Sequence, residues 1–231
     1  MDKINHACGP FIRTSCTMAH QEFLKPMKRF TDHLKDYRIF LASRSPRRQS
    51  LLLEAGIPFE CWLKDEVAEI YPSNLEPKDV AVFLARLKAD AYRNELSSKD
   101  ILITADTLVV LGTRILGKPD NRTDAIKMLK ELSGNPHEVI TGVCLTSGDK
   151  ESVFIASTIV WFDHLEQSEI EEYVDEYSPF DKAGSYGIQE RIGYVGVHRI
   201  EGSYFNVMGL PIQQLYKELQ NFTEYKSTAP I

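Results

Sequence analysis

Cysteine is scarce in this sequence. Four cysteines in 231 residues, Cys8, Cys16, Cys61 and Cys144, form no Cys-x-x-Cys pair. That usage argues against a disulfide scaffold and for a reducing compartment, read as the cytoplasm. His6, Cys8, Cys16 and His20 lie near one another in sequence, but their spacing fits none of the common zinc frames. No apolar run reaches membrane-spanning length, and the first residues lack the apolar stretch of a secretory signal. A membrane role is not expected, so Asn121-Arg122-Thr123 and Asn221-Phe222-Thr223 carry no weight as glycosylation sequons. A basic excess is also missing. Against 33 acidic residues stand 27 basic ones, for a formal net charge of -6, which argues against a nucleic-acid partner. A local cluster of Lys and Arg can still hold a phosphate-bearing small ligand. Repeats and low-complexity tracts are absent.

What is present is an ordinary globular composition, 43% hydrophobic, long enough for one domain or one domain in two lobes. Residues 1–36 mix Cys, His, Pro and single apolar residues without sustained periodicity and read as a loosely ordered extension, with Met27 an alternative start. From there to residue 223 the chain alternates regularly. Arg38 to Ala42 reads as a strand and Pro46 to Ala55 as a helix, with Ser45 at the N-cap and Gly56 at the stop. Pro77 to Leu96 reads as a helix whose stripe is Val80, Leu84, Leu87 and Ala91. A strand from Ile101 to Leu111 turns at Gly112-Thr113 into Arg114 to Leu116, and Thr123 to Leu132 forms a helix ending at Gly134. Val139 to Thr146 and Val153 to Phe162 make a hairpin. Ser168 to Glu176 starts with a Ser168-x-x-Glu171 capping box, and Pro211 to Phe222 closes the domain. Residues 224–231 are left as a tail. This order predicts an α/β protein with a mixed sheet.

Four features carry chemistry. Ser43-Arg44-Ser45-Pro46-Arg47-Arg48 stands where a strand meets a helix, and unpaired N–H groups there favour an anion. A capped helix with solvated Arg is the simpler reading, yet cations in a first turn oppose the helix dipole and call for an anion. Asp106-Thr107 interrupts an apolar strand. A buried carboxylate must be paired, hold a metal or act as a base, or else accept backbone donors as a purely structural group. Lys118, fixed between Gly117 and Pro119, and Lys88, beside the helical stripe, can each reach a triphosphate or sit on the surface. The loop Asp181-Lys182-Ala183-Gly184-Ser185-Tyr186-Gly187-Ile188-Gln189 allows close backbone approach, and the amide of Gln189 can read a base edge. The stretch from Gly202 to Pro211 reads as a further wall of the same pocket. Together these readings indicate metal-assisted hydrolysis of a nucleotide.

In their order, Leu41-Ala42-Ser43-Arg44-Ser45-Pro46-Arg47-Arg48, Ala105-Asp106-Thr107, Gly117-Lys118-Pro119, the 181–189 run and Asn206-Val207-Met208-Gly209-Leu210-Pro211 resemble the motifs of the Maf family, over about Arg38 to Phe222. The resemblance implies a two-lobed fold like that of the inosine triphosphate pyrophosphatases, with a mixed twisted sheet and a central cleft. It implies a hydrolase, a nucleotide diphosphatase cutting a nucleoside triphosphate between its α and β phosphates with a divalent metal, Mg or Mn. By the family pattern Asp106 resembles the proton acceptor and shares the metal with Glu69, although many relatives carry Asp-Glu where this chain has Ala68-Glu69. Ser45, Arg48, Lys88 and Lys118 correspond to the phosphate-binding set. Arg47, Thr107 and Gln189 stand where the dTTP/UTP branch is marked; the branch preferring 7-methyl-GTP places Gln after the catalytic Asp. The family also includes dimers. The alternative is a non-catalytic nucleotide-binding regulator of cell division.

Overall fold

The computed structural model describes residues 28–65, 67–148 and 150–225. The His and Cys residues between 6 and 20, and Met27, lie outside them. Helix α1 (Lys28–Leu34) falls within the span expected to be a loose extension. Its Phe30 and Leu34 are buried in the main core, and the Phe30 ring meets Tyr216 and Tyr225. The expectation fails here because two apolar residues four apart suffice to dock a single turn, too short a stretch for periodicity to register. Tyr225, assigned to the tail, packs on the same core.

Seven strands form one mixed sheet in the order β2-β1-β3-β5-β6-β7, with β4 also on β3. They are β1 (Arg38–Leu41), β2 (Glu60–Cys61), β3 (Asp100–Leu111), β4 (Arg114–Leu116), β5 (Pro136–Ser147), β6 (Lys150–Phe162) and β7 (Val197–Glu201). Strands β1 and β2 run parallel, as do β1 and β3, and the remaining pairs are antiparallel. The hairpin of β5 and β6 is longer than expected, reaching Ser147 opposite Lys150.

The centre of the sheet is buried on both faces, which is why β3 reads as an almost unbroken apolar run. Period-two alternation sends Leu102, Leu108 and Val110 toward helix α3 (Pro77–Asp90), where they meet Val80, Ala81, Leu84 and Ala85. Ile101, Ile103, Ala105 and Val109 face the larger core on the other side. That core is covered by α1, α2 (Pro46–Glu54), α4 (Arg122–Leu132), α5 (Gln167–Tyr177) and α8 (Ile212–Phe222). Between β6 and α8 lie α6 (Arg191–Gly196) and α7 (Tyr204–Val207). Helix α3 ends at Asp90, six residues before the expected Leu96, and Ala91 is exposed rather than part of the stripe. The capping box of α5 is Glu166 with Glu169, two residues ahead of the expected one.

One feature of the sheet makes a cleft. Strand β1 pairs with β3 only from Asp100 to Ile103, and β4 only from Val109 to Leu111. Both lie on the side of β3 away from β5, so residues 104–108 have a strand on one side alone. The gap opens beyond the carboxyl end of β1, where parallel strands of open sheets place ligand crevices.

Candidate active site

Residues 105–109 of β3 form the floor of a cleft of about 830 Å³. That size suits a small-molecule ligand. One wall is the β1–α2 connection. Ser45 is the N-cap of α2 and Pro46 its first residue, as expected, but the Ser45 side chain makes no capping bond. Its own N–H donates to Ser43 Oγ at 3.2 Å. The first turn holds no acidic residue, so its positive end faces the cleft uncompensated.

Asp106 is 7% exposed, and its cost of burial is met by Lys88. Both positions follow from period. Asp106 is an even-numbered residue of β3 and so faces α3, while Lys88 stands one turn after Leu84 on the buried face of that helix. Thr104 ties the two elements together by donating its hydroxyl to Ala85 O at 2.7 Å. The Lys88 ammonium bonds Asp106 Oδ1 and also sits 2.8 Å from Glu69 Oε1. Glu69 is brought in by the loop after β2, which Tyr92 anchors by accepting from Lys64 N and donating to Trp62 O, each at 3.0 Å. Burial alone would raise the Glu69 carboxyl. The charge and hydrogen bond of Lys88, with Lys118 and Arg48 behind it, outweigh burial and hold it below the usual range.

Arg47 and Arg48 are neighbours in sequence with opposite fates. Arg47 lines the cleft and lies 3.5 Å from Asp181 on the opposite wall. Arg48 turns inward. Its Nε donates to Gly209 O at 2.7 Å, Nη1 to Ala105 O at 2.9 Å and Ser43 Oγ at 3.4 Å, and Nη2 to Thr107 Oγ1 at 3.0 Å. Burial pushes its pKa down, against the pull of Asp106. At most one of its five N–H groups remains for a ligand. Arg48 thus closes the open edge of β3 by satisfying the Ala105 carbonyl.

Thr107, odd-numbered, faces away from Asp106 and joins Arg48, Thr141 and Gly209 at the cleft wall. Lys118 lines the cleft from its exposed turn. Gln189 is exposed beyond Ile188 and does not line the cleft, unlike Tyr186, Gly187 and Ile188. The structure therefore brings Ser45, Arg47, Arg48, Glu69, Lys88, Asp106, Thr107 and Lys118 to one cavity and leaves Gln189 at its margin.

Three residues of this site were not singled out by sequence. Lys182 is a buried lysine on the cleft wall, paired with Asp181 at 2.7 Å and Glu190 at 3.2 Å. Its place inside the 181–189 run was the available signal. Gly142 sits in an apolar strand, where a lone glycine marks close backbone approach. Thr141 carried no signal, because its partner Thr107 lies 34 residues away in sequence.

As to a metal, no group of three or more His, Cys, Asp or Glu among the described residues could hold one. Asp106 and Glu69 nevertheless share one ammonium, two carboxylates in direct contact with the same lysine. That donor set fits Mg or Mn, which take one or two protein carboxylates and complete their shell with phosphates and water. No helix among the described residues is long and apolar enough to cross a membrane.

Residues 38–222 match the family model described as Maf-like protein. A Porphyromonas gingivalis protein named dTTP/UTP pyrophosphatase is 50% identical over 195 residues, 84% of this chain and 98% of its own length. A Bacteroides fragilis protein of the same name is 52% identical over 188 residues, 81% of this chain and 97% of its own. A solved dITP/XTP pyrophosphatase from Mycobacterium abscessus aligns with TM-score 0.35 and 16% identity over 55% of this chain and 75% of its own, too partial a likeness to argue from.

Proposed function

Because this chain belongs to the Maf-like protein family, we propose that it is a hydrolase that converts dTTP and UTP to the monophosphate and diphosphate. Such an activity would keep unwanted pyrimidine nucleotides, modified forms included, out of nucleic acid. Support comes from relatives about half identical over nearly their whole length that bear the name dTTP/UTP pyrophosphatase. The single structural observation that carries the chemistry is Asp106 and Glu69 held by one lysine at the floor of a cationic cleft.

In this reading the triphosphate lies along the mouth of α2. Ser45, the first-turn N–H groups, Lys88 and Lys118 take its oxygens, with the last N–H of Arg48. Asp106 accepts a proton from the water that attacks the α-phosphorus, and the bond from that phosphorus to the bridging oxygen breaks, releasing diphosphate. A divalent cation held by Asp106 and Glu69 would neutralise phosphate charge and orient the triphosphate. The fixed cations stabilise charge growing on the leaving group without having to reorganise. Arg47, Thr107 and Gln189 set the choice of base, Gln189 only once ligand or loop movement brings it inward.

The test is diphosphate release from dTTP, UTP, CTP, GTP and 7-methyl-GTP with Mg or Mn. Turnover should favour dTTP and UTP, and Asp106→Asn should lower it by about a thousandfold. Nucleotide binding without turnover of any triphosphate would instead support the regulator. Removal of the metal by a chelator should abolish turnover and its return restore it.

A further inference from the structure

We propose that Thr141 is a positioning residue for base selection, committing the hydroxyl proton of Thr107 inward so that Thr107 meets the ligand only as a hydrogen-bond acceptor. This rests on the pyrimidine-nucleotide reading above and goes beyond it. Thr107 Oγ1 has three protein neighbours of fixed character. Arg48 Nη2, at 3.0 Å, can only donate to it. Gly209 O, at 3.3 Å, can only accept. Thr141 Oγ1, at 3.0 Å, can do either. Thr141 is wholly buried, and its own hydroxyl reaches Asn206 O at 3.3 Å, a carbonyl that can only accept.

Two directions satisfy every group, since either hydroxyl can donate to the other, and the proposed one runs from Arg48 to the Asn206 carbonyl. Arg48 donates to Thr107, Thr107 donates to Thr141, and Thr141 donates to the Asn206 carbonyl. A hydroxyl has one proton and two lone pairs. With the proton and one lone pair used inside the protein, Thr107 keeps a single lone pair toward the cleft it lines. In the reverse direction Thr141 would donate to Thr107 and Thr107 to Gly209, leaving Thr107 no lone pair for the ligand, and loss of Thr141 would then not lower selectivity.

A base placed there must present a hydrogen on its ring edge. The imide N–H of uracil and thymine does so, whereas the corresponding ring nitrogen of cytosine is an acceptor and would face a second acceptor. Two acceptors in apposition leave both unpaired, and a site built for a donor rejects the analogue that lacks it. Asn206 holds the end of this relay in place, donating its side-chain amide to Val139 O at 2.9 Å and Thr158 Oγ1 at 3.0 Å.

The experiment measures kcat/KM for UTP and CTP in the parent protein, Thr141→Ser, Thr141→Val, Thr107→Val and the Thr107→Val/Thr141→Val pair, with thermal melts as a check on folding. Thr141→Ser should keep the parent UTP-to-CTP ratio. Thr141→Val removes the acceptor and should lower that ratio about tenfold. If Thr141 acts through Thr107, the double variant should discriminate no worse than Thr107→Val alone. An unchanged ratio in Thr141→Val, or additive losses in the double variant, overturns the proposal. A Thr141→Val protein that melts early with Thr141→Ser equally unselective also overturns it, since the role would then be packing. Failure of the parent protein to hydrolyse any pyrimidine triphosphate would sink the underlying reading instead, before any variant is compared.

Discussion

Asp106 and Gly142 stand directly opposite each other on β3 and β5. A methyl group at Gly142 would lie 2.3 Å from the carbonyl oxygen of Ala81 on α3. The absent side chain beside the carboxylate is what lets the helix settle on the sheet and carry Lys88 to Asp106. Gly142→Ala should push α3 off the sheet, cost about 1–3 kcal/mol of stability and lower kcat by misplacing Lys88. Urea unfolding and steady-state kinetics on one preparation would show it. A fully active, fully stable Ala variant would mean that α3 is not held by this contact.

Lys88 neutralises two carboxylates at once. Replacing it with Gln leaves Asp106 and Glu69 facing each other with no cation between them. Turnover should drop about a hundredfold, and the carboxylates should depend more on the divalent metal for neutralising charge, with only Lys118 and Arg48 behind it. A titration of activity against metal concentration in the parent and Lys88→Gln checks this; identical curves would argue that Lys88 and the metal act independently.

Arg48 is a clamp before it is a ligand. Lys in its place has three N–H groups on one nitrogen, and a single centre cannot take the three positions from which the guanidinium reaches Gly209, Ala105 and Thr107. Arg48→Lys should therefore lose about 2 kcal/mol from one unsatisfied buried group, visible as a lower urea midpoint. Loss of activity with stability intact would return Arg48 to the role of a phosphate ligand alone.

His137 links stability to pH. It is 2% exposed, and burial lowers its pKa from 6.5 to about 4. The unfolded chain then binds a proton that the folded protein refuses, so stability is full above about pH 6.5 and falls as acid is added toward pH 4. Between pH 7 and pH 5 this group should cost about 2 kcal/mol. Gln at this position cannot titrate and still offers Tyr186, whose hydroxyl lies 2.8 Å from His137 Nε2, a polar partner. The loss over that interval should be smaller in His137→Gln; an equal loss would place the acid sensitivity elsewhere.

Local sequence determined the elements and much of the chemistry. Caps, glycine stops and apolar period marked β1, α2, β3, the β5–β6 hairpin and α8 to within a few residues, because these signals act between neighbours in the chain. The cationic start of α2 and the carboxylate inside an apolar strand were legible for the same reason: each is anomalous against its own surroundings. The motifs carried the family and thereby the expected roles.

Only the tertiary structure decided how those residues are used. Arg47 and Arg48 are alike in type and adjacent, but consecutive residues point about 100° apart around a helix, so Arg47 reaches across the cleft toward Asp181 and Arg48 is spent on backbone carbonyls at its wall. Asp106 and Thr107 part to opposite faces of β3 by the period of a strand, which puts the candidate proton acceptor and the candidate base reader in separate networks. Lys88 meets Asp106 because a glycine on a third element leaves room, and Thr141 meets Thr107 because two strands align in one register. Such meetings depend on how helix and strands settle against one another, and no stretch of neighbouring residues records that.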